Sequence, residues 1–141
     1  MPQDISGYDV GALLYCPANA HHTVAQAVAA ERLPRPFSLA LCLEDTVRAD
    51  ALAAAEQAVE QTLHDLTDTA RQETFYRPLT FVRVRSPEQL ARLGRAYGKY
   101  RPLLTGFILP KFFIETCGAY CAVIRDLQAD GLDYFYMPVF E

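Results

Sequence analysis

Five short apolar runs recur along the chain: ALLYCP at 12–17, SLALCL at 38–43, LTFVRV at 79–84, TGFILP at 105–110 and DYFYMPVF at 133–140. Runs of this length, rich in branched and aromatic residues, read as buried strands. The segments between them are long enough to cross back over a sheet, and they carry helical spacing. The clearest is 49–72, where Leu52, Ala55, Val59, Leu63 and Leu66 form one apolar stripe. HTVAQAVAAE follows the first run, SPEQLARLGRAYGKY puts Pro87 at a helix start behind a Ser86 cap, and ETCGAYCAVIRDLQADG stops at Gly131. Strand and helix alternating with full crossovers predict a parallel sheet and an α/β fold, because parallel neighbours need a connection that returns to the starting edge.

No linker or compositional break divides the 141 residues, so a single domain over 1–141 is expected. With 51% hydrophobic and 21% charged residues, the chain can bury its own core. The formal charge of -4 comes from thirteen basic and seventeen acidic side chains scattered along the sequence, which offers no patch for a phosphate backbone. No apolar stretch approaches the roughly 18 residues of a membrane span, and MPQDISGYDV lacks the basic-then-apolar order of a signal peptide. The expectation is a cytoplasmic protein with neither nucleic-acid nor membrane partner. Cys16 and Cys42 fall in apolar runs, and Cys117 and Cys121 lie four apart in a helical segment. All four are expected as small buried residues, since no second cysteine pair or histidine accompanies CGAYC to complete a zinc site.

In parallel α/β folds ligands gather at the carboxyl ends of the strands, so polar residues just past each run are the candidates. They are Pro17, Asn19, His21 and His22, then Glu44 and Asp45, Arg83 and Arg85, Lys111, and Glu141. One charge at a strand end is most often a solvated loop residue or a cap; charge at four successive strand ends favours a site. Arg83 sits between Val82 and Val84, so it faces the other side of its strand and calls for an anion. By the same alternation Glu44 and Asp45 should point apart, one into the site and the other onto a helix start or a neighbouring donor. The histidine doublet reads as an exposed helix start, and Tyr97, Tyr100 and Tyr120 as packing residues. Glycine-rich phosphate loops and nucleophile elbows are missing, which argues against nucleotide-binding and serine-hydrolase chemistry.

In order and spacing, GALLYCPAN, LALCLEDTV, TFVRVRS, GFILPK and YFYMPVFE resemble the citrate lyase beta-subunit and HpcH/HpaI aldolase family, in particular its C-C bond lyase branch. The resemblance runs over most of the chain. It implies a (β/α)8 TIM barrel, of which about five βα units are present here as an amino-terminal portion. It also implies a Mg2+-dependent lyase or aldolase acting on an oxo-acid or an acyl-CoA, CoA then being part of the substrate. Carried over by position, Arg83 contacts substrate oxygens, Glu44 and Asp45 form the acidic pair near the metal and its waters, and Glu141 binds Mg2+. Pro17, Asn19 and Lys111 join Arg83 as candidate substrate contacts. The family association extends to tellurite-resistance and stress-response genes.

Two departures stand out. DVGALLYCP lacks the arginine that usually precedes the first strand, and an eight-stranded barrel takes about 250 residues, so the metal carboxylate expected on a sixth strand has no counterpart. The chain therefore reads as a barrel interrupted at Glu141. Exposed edges on the first and fifth strands suit pairing with another chain, so a homo-oligomer is expected. The same edges allow a different reading, a truncated, non-catalytic assembly module. A complete flavodoxin-like domain fits the length but leaves Arg83 unexplained.

Overall fold

A computed structural model describes residues 4–140, the side chains of His21 and His22 excepted. Each apolar run contains a strand: β1 (Leu13–Pro17), β2 (Ser38–Cys42), β3 (Leu79–Arg83), β4 (Leu104–Leu109) and β5 (Phe135–Pro138). Between them lie α1 (His21–Ala29), α2 (Leu52–Gln72), α3 (Pro87–Ala96) and α4 (Ile114–Ala129). Local chemistry sets the boundaries. Ser86 accepts a hydrogen bond from the Gln89 amide at 3.1 Å, with Pro87 in the first turn of α3. Just past α4, Gly131 takes φ 77°, a left-handed conformation that glycine adopts without a Cβ clash. In α2 the predicted stripe is the packed face, with Ala55, Val59, Leu63 and Leu66 buried.

The strands pair in parallel in the order β1-β2-β3-β4-β5. This order decides between architectures. A flavodoxin-like sheet reverses direction after its first pair and carries helices on both faces. Here the order never reverses, and the helices cover one face. On that face Leu41, Leu43, Val82, Val84, Phe107 and Leu109 pack with Val59, Leu63, Leu90 and Tyr120 of the helices. On the opposite face Ala40, Phe81 and Ile108 cluster with Val10 and with half-buried Leu13, Leu79, Phe135 and Met137, and no residue of the four helices takes part. Sequential parallel strands with helices on one side form the wall of an α/β barrel, the expected (β/α)8 type with five strands present. The flavodoxin-like reading is thereby excluded.

The helix-free face is the barrel interior, and its side chains alternate in size. Along one row Tyr15, Ala40, Phe81, Gly106 and Phe135 are register partners, large next to small. Between β3 and β4 the register shifts, because Thr80 pairs with Leu104 but Phe81 with Gly106. Thr105 is the extra residue, and its hydroxyl accepts the Thr80 amide at 3.1 Å, so the bulge leaves that donor satisfied. Gly106 is required by close approach: a Cβ there would fall 1.7 Å from the Phe135 carbonyl oxygen.

One expectation about the core fails. Cys42 is buried, but Cys16 and Cys117 are only half-buried and Cys121 is exposed. In α4 the packed side is held by α3 and the sheet, and Cys121 faces away from it, in line with exposed Ile114, Gly118 and Arg125. The three tyrosines do behave as packing residues, and Tyr97 also donates to the Glu56 carbonyl at 2.8 Å. Among the described residues no helix is long and apolar enough to cross a membrane.

Between α2 and α3 the main polar tie is Glu56, which accepts from Arg92 at 2.7 and 2.8 Å and from Gln89 at 2.9 Å. The Arg92 hydrogen bond outweighs burial and holds the Glu56 carboxyl below its usual range. A depressed carboxyl stabilises the fold fully above its unfolded value of about 4.3, and that contribution is lost as pH falls through the lower folded value. We expect the urea midpoint of the protein to fall as pH drops below about 4, with a shallower acid slope in Arg92→Met. Equal slopes would show that the tie contributes nothing. Gly106→Ala should cost about 3 kcal/mol, the upper end for overpacking, because backbone rather than a flexible side chain must yield. Urea denaturation measures it, and a cost below about 0.5 kcal/mol would mean that β5 is not held against β4 as described.

Candidate active site at the carboxyl ends of the strands

Arg83 is the last residue of β3, level with Cys42 of β2 and Ile108 of β4. The two-residue period puts it on the face of Phe81, so the guanidinium rises from the barrel interior at its carboxyl-terminal rim. Its side chain is 16% exposed, and Nη2 lies 2.6 Å from Glu44 Oε2 and 3.6 Å from Asp45 Oδ2. Lys111 approaches the other Glu44 oxygen, Nζ to Oε1 at 3.6 Å. Three strand ends thus bring four of the candidate residues together around one buried carboxylate.

The Glu44–Arg83 contact is an ion pair without hydrogen-bond alignment, since Glu44 Oε2 and Arg83 Nε are both buried and lack a hydrogen-bond partner. Each unpaired buried polar group costs on the order of 1–3 kcal/mol, and more when charged. A stretch of chain that carries such groups has hydrogen-bonding capacity left for something else. Beneath the guanidinium lies Tyr15, its ring centroid 5.6 Å from Arg83 Cζ. That face contact orients a cation, and Tyr15 is a site residue the sequence reading missed. Its signal was available: it stands two residues before Pro17, on the same face of β1.

The alternation expected of Glu44 and Asp45 does not hold. β2 ends at Cys42, and the chain then bends, the Val47 amide donating to the Glu44 carbonyl at 3.2 Å. Strand periodicity no longer applies, so both carboxylates come near Arg83, and no side chain caps α2. Arg85, also past its strand, donates from Nη2 to the Glu44 carbonyl at 2.9 Å and to the Val47 carbonyl at 2.6 Å. Pro17 and Asn19 are exposed at the end of β1, and among the described residues no hydrogen bond or ion pair joins them to the cluster. Glu141 and the side chains of His21 and His22 lie outside the described residues.

A cavity of ≈ 410 Å³ opens beside this group, lined by Glu44, Asp45, Val47, Arg85 and Lys111. A larger cleft of ≈ 860 Å³ lies at the opposite, amino-terminal end of the strands, against Arg77, Lys99, Arg101 and Asp133. Its cations are engaged elsewhere: Arg101 donates to the Gly131 carbonyl at 2.7 Å, and Lys99 pairs with Glu60 at 2.8 Å. Size alone favours that cleft, but parallel barrels present their chemistry at the carboxyl ends, and of the two only the smaller is lined by a residue with a buried atom lacking a hydrogen bond, Glu44. Around it Arg83, Arg85 and Lys111 stand against Glu44 and Asp45, an excess of positive charge that suits an anionic ligand.

The described residues do not by themselves make a magnesium site. Among them no three acidic, histidine or cysteine side chains converge. Glu44 is turned toward Arg83 and Lys111, which leaves Asp45, 68% exposed, as the carboxylate a hard cation could reach.

The family model described as C-C bond lyase of the TIM-barrel fold matches residues 4–141. No curated protein matches the chain.

Removing one partner of a buried pair leaves the other charge uncompensated, so Arg83→Met should cost about 3 kcal/mol. Adding Glu44→Leu should recover most of it, because two apolar groups replace the pair. Urea denaturation of both variants is the measurement. A loss below about 1 kcal/mol for Arg83→Met would show that the pair behaves as an exposed one.

Proposed function

Because the chain belongs to the C-C bond lyases of the TIM-barrel fold, we propose that it cleaves or forms a carbon-carbon bond beside the carbonyl of a small oxo-acid or an acyl-CoA, through an enolate. The observation that carries this reading is Arg83 Nε, buried at the strand ends without a hydrogen-bond partner, beside Glu44 Oε2, which pairs with Arg83 Nη2 at 2.6 Å without an aligned hydrogen bond. In the cleavage direction the β-hydroxyl loses its proton and becomes a carbonyl. The bond between the α and β carbons breaks, and its electron pair moves into the enolate of the remaining carbonyl. The α carbon then takes up a proton. Fixed donors aimed at the oxygen that gains charge lower this barrier. Arg83 supplies them, oriented by Tyr15 below and Glu44 beside it. Asp45 is the carboxylate placed to take the hydroxyl proton, as a general base within reach of solvent. Lys111 adds positive charge for a substrate carboxylate.

The closer kinship to citrate lyase beta-subunits and HpcH/HpaI aldolases is part of the same proposal. So is magnesium, with Glu141 as the carboxylate that would hold it and Asp45 near its water ligands. Assembly into a homo-oligomer would use the outer edges of β1 and β5.

The test is calorimetric titration of the full chain with oxaloacetate and with pyruvate, with and without Mg2+. Binding is expected, weakened at least tenfold in Arg83→Ala, with the Mg2+ dependence lost in Glu141→Gln. Unchanged affinity in both variants would sink the site assignment. No binding of either oxo-acid by the unaltered chain would favour the non-catalytic assembly module.

A further inference from the structure

Arg83 and Arg85 look like a matched pair in the sequence, yet they do different things. Arg83 faces the barrel interior, whereas the Arg85 guanidinium reaches across to the 44–47 turn and bridges its two ends, the carbonyls of Glu44 and Val47 at 2.9 and 2.6 Å. These are charge-assisted hydrogen bonds to backbone, stronger than a neutral pair. They lie 38 and 41 residues apart in sequence, so the turn's shape depends on a distant element.

Arg85 is itself anchored. Its amide donates to Gln89 Oε1 at 2.8 Å, and Gln89, 3% exposed, donates onward to Glu56 Oε1 at 2.9 Å. Arg92 closes the series on both Glu56 oxygens. A continuous set of hydrogen bonds therefore runs from the α2–α3 contact to the turn that carries Glu44 and Asp45. Local side-chain bonds within the turn are few: Thr46 reaches the Cys42 carbonyl only at 3.4 Å. Without Arg85 the turn would rely on that contact and on the Val47 amide.

We infer that Arg85 is a positioning residue, which clamps the 44–47 turn so that Glu44 meets Arg83 and Asp45 stands at the cavity mouth. The inference rests on the proposed lyase site, and deepens it by naming what holds the acidic pair in place. Arg85 also lines the cavity; its Nη2 is committed to the two carbonyls rather than to a ligand.

Amide hydrogen exchange at Val47 reads the clamp without any ligand, and oxaloacetate titration reads its consequence. In Arg85→Met, Val47 exchange should quicken about tenfold or more while Leu41 in β2 keeps its protection, and the oxaloacetate dissociation constant should rise about tenfold. Arg85→Lys retains one charged donor on a shorter reach and should restore part of both effects. It also serves if Arg85→Met does not fold, the expected result then being quicker Val47 exchange than in the unaltered chain. Wild-type protection at Val47 in Arg85→Met overturns the clamp, as it does in Arg85→Lys where Arg85→Met does not fold. Quicker exchange with unchanged oxaloacetate affinity overturns the positioning role. If the unaltered chain binds no oxo-acid, the lyase reading and the positioning role fall together, and Val47 exchange alone decides whether Arg85 shapes the turn.

Discussion

Every strand of this sheet pairs in parallel with its sequence neighbour, and much of the rest follows from that constraint. A parallel neighbour can be reached only by carrying the chain back across the sheet, so all five strands run the same way and end at one rim. Because the order never reverses, the crossovers stay on one side, and the helices leave the other face to the side chains of the strands themselves. Residues that are distant in sequence but sit just past a strand become neighbours. Glu44, Arg83 and Lys111 come from three different strand ends and meet within ion-pair distance.

The chemistry of that rim pulls against stability. A carboxylate that is 7% exposed needs a counter-charge with hydrogen bonds to match, since desolvating both ions costs several kcal/mol each. Arg83 supplies the charge, yet Glu44 Oε2 and Arg83 Nε are left without hydrogen bonds. Elsewhere among the described residues the buried side chains are mostly satisfied, Tyr136 Oη in β5 being the exception. Ser38, in the barrel interior, donates to the Val10 carbonyl at 2.6 Å, and Tyr134 donates to the Gly94 carbonyl at 2.6 Å. Two of the three buried side-chain atoms left without a hydrogen bond among the described residues therefore lie at the carboxyl rim, where the proposed site is.

What could be read from sequence depends on how far each signal's periodicity extends. Strands and the α2 stripe were legible because burial repeats every two residues or every three to four, and Arg83 was legible because it breaks such a repeat between two valines. The opposite pointing expected of Glu44 and Asp45 fails because the repeat was extended past Cys42, where β2 has already ended. The role of Arg85 was invisible for a related reason: its partners are backbone carbonyls, which carry no residue-type signal. Tyr15 reads as one more aromatic until β1 is placed beside β2 and β3. Cys117 and Cys121 were expected inside as small residues of a helix that lacked companion zinc ligands, but a helix without a dominant apolar stripe does not say which side a neighbour covers.

Lys111 shows how the rim is held in a conformation the sequence alone would not favour. It has φ 51°, in the left-handed region where a Cβ is penalised, by about 1–2 kcal/mol relative to ordinary backbone. Glycine or asparagine would be cheaper there. The surrounding bonds over-determine the geometry: the Lys111 carbonyl accepts from the Phe113 amide at 2.9 Å and the Thr116 hydroxyl at 2.7 Å, while the next amide, Phe112, donates to Val139 beyond β5 at 3.0 Å. With its backbone fixed between β4 and α4, Lys111 brings its ammonium within 3.6 Å of Glu44. With Lys111 60% exposed and the separation 3.6 Å, the contact contributes little to stability, at most about 1 kcal/mol. The strain is therefore not offset by the contact it creates. Backbone strain that packing sustains and that aims a charged side chain at a buried carboxylate is better explained by what the rim does than by how the fold is held.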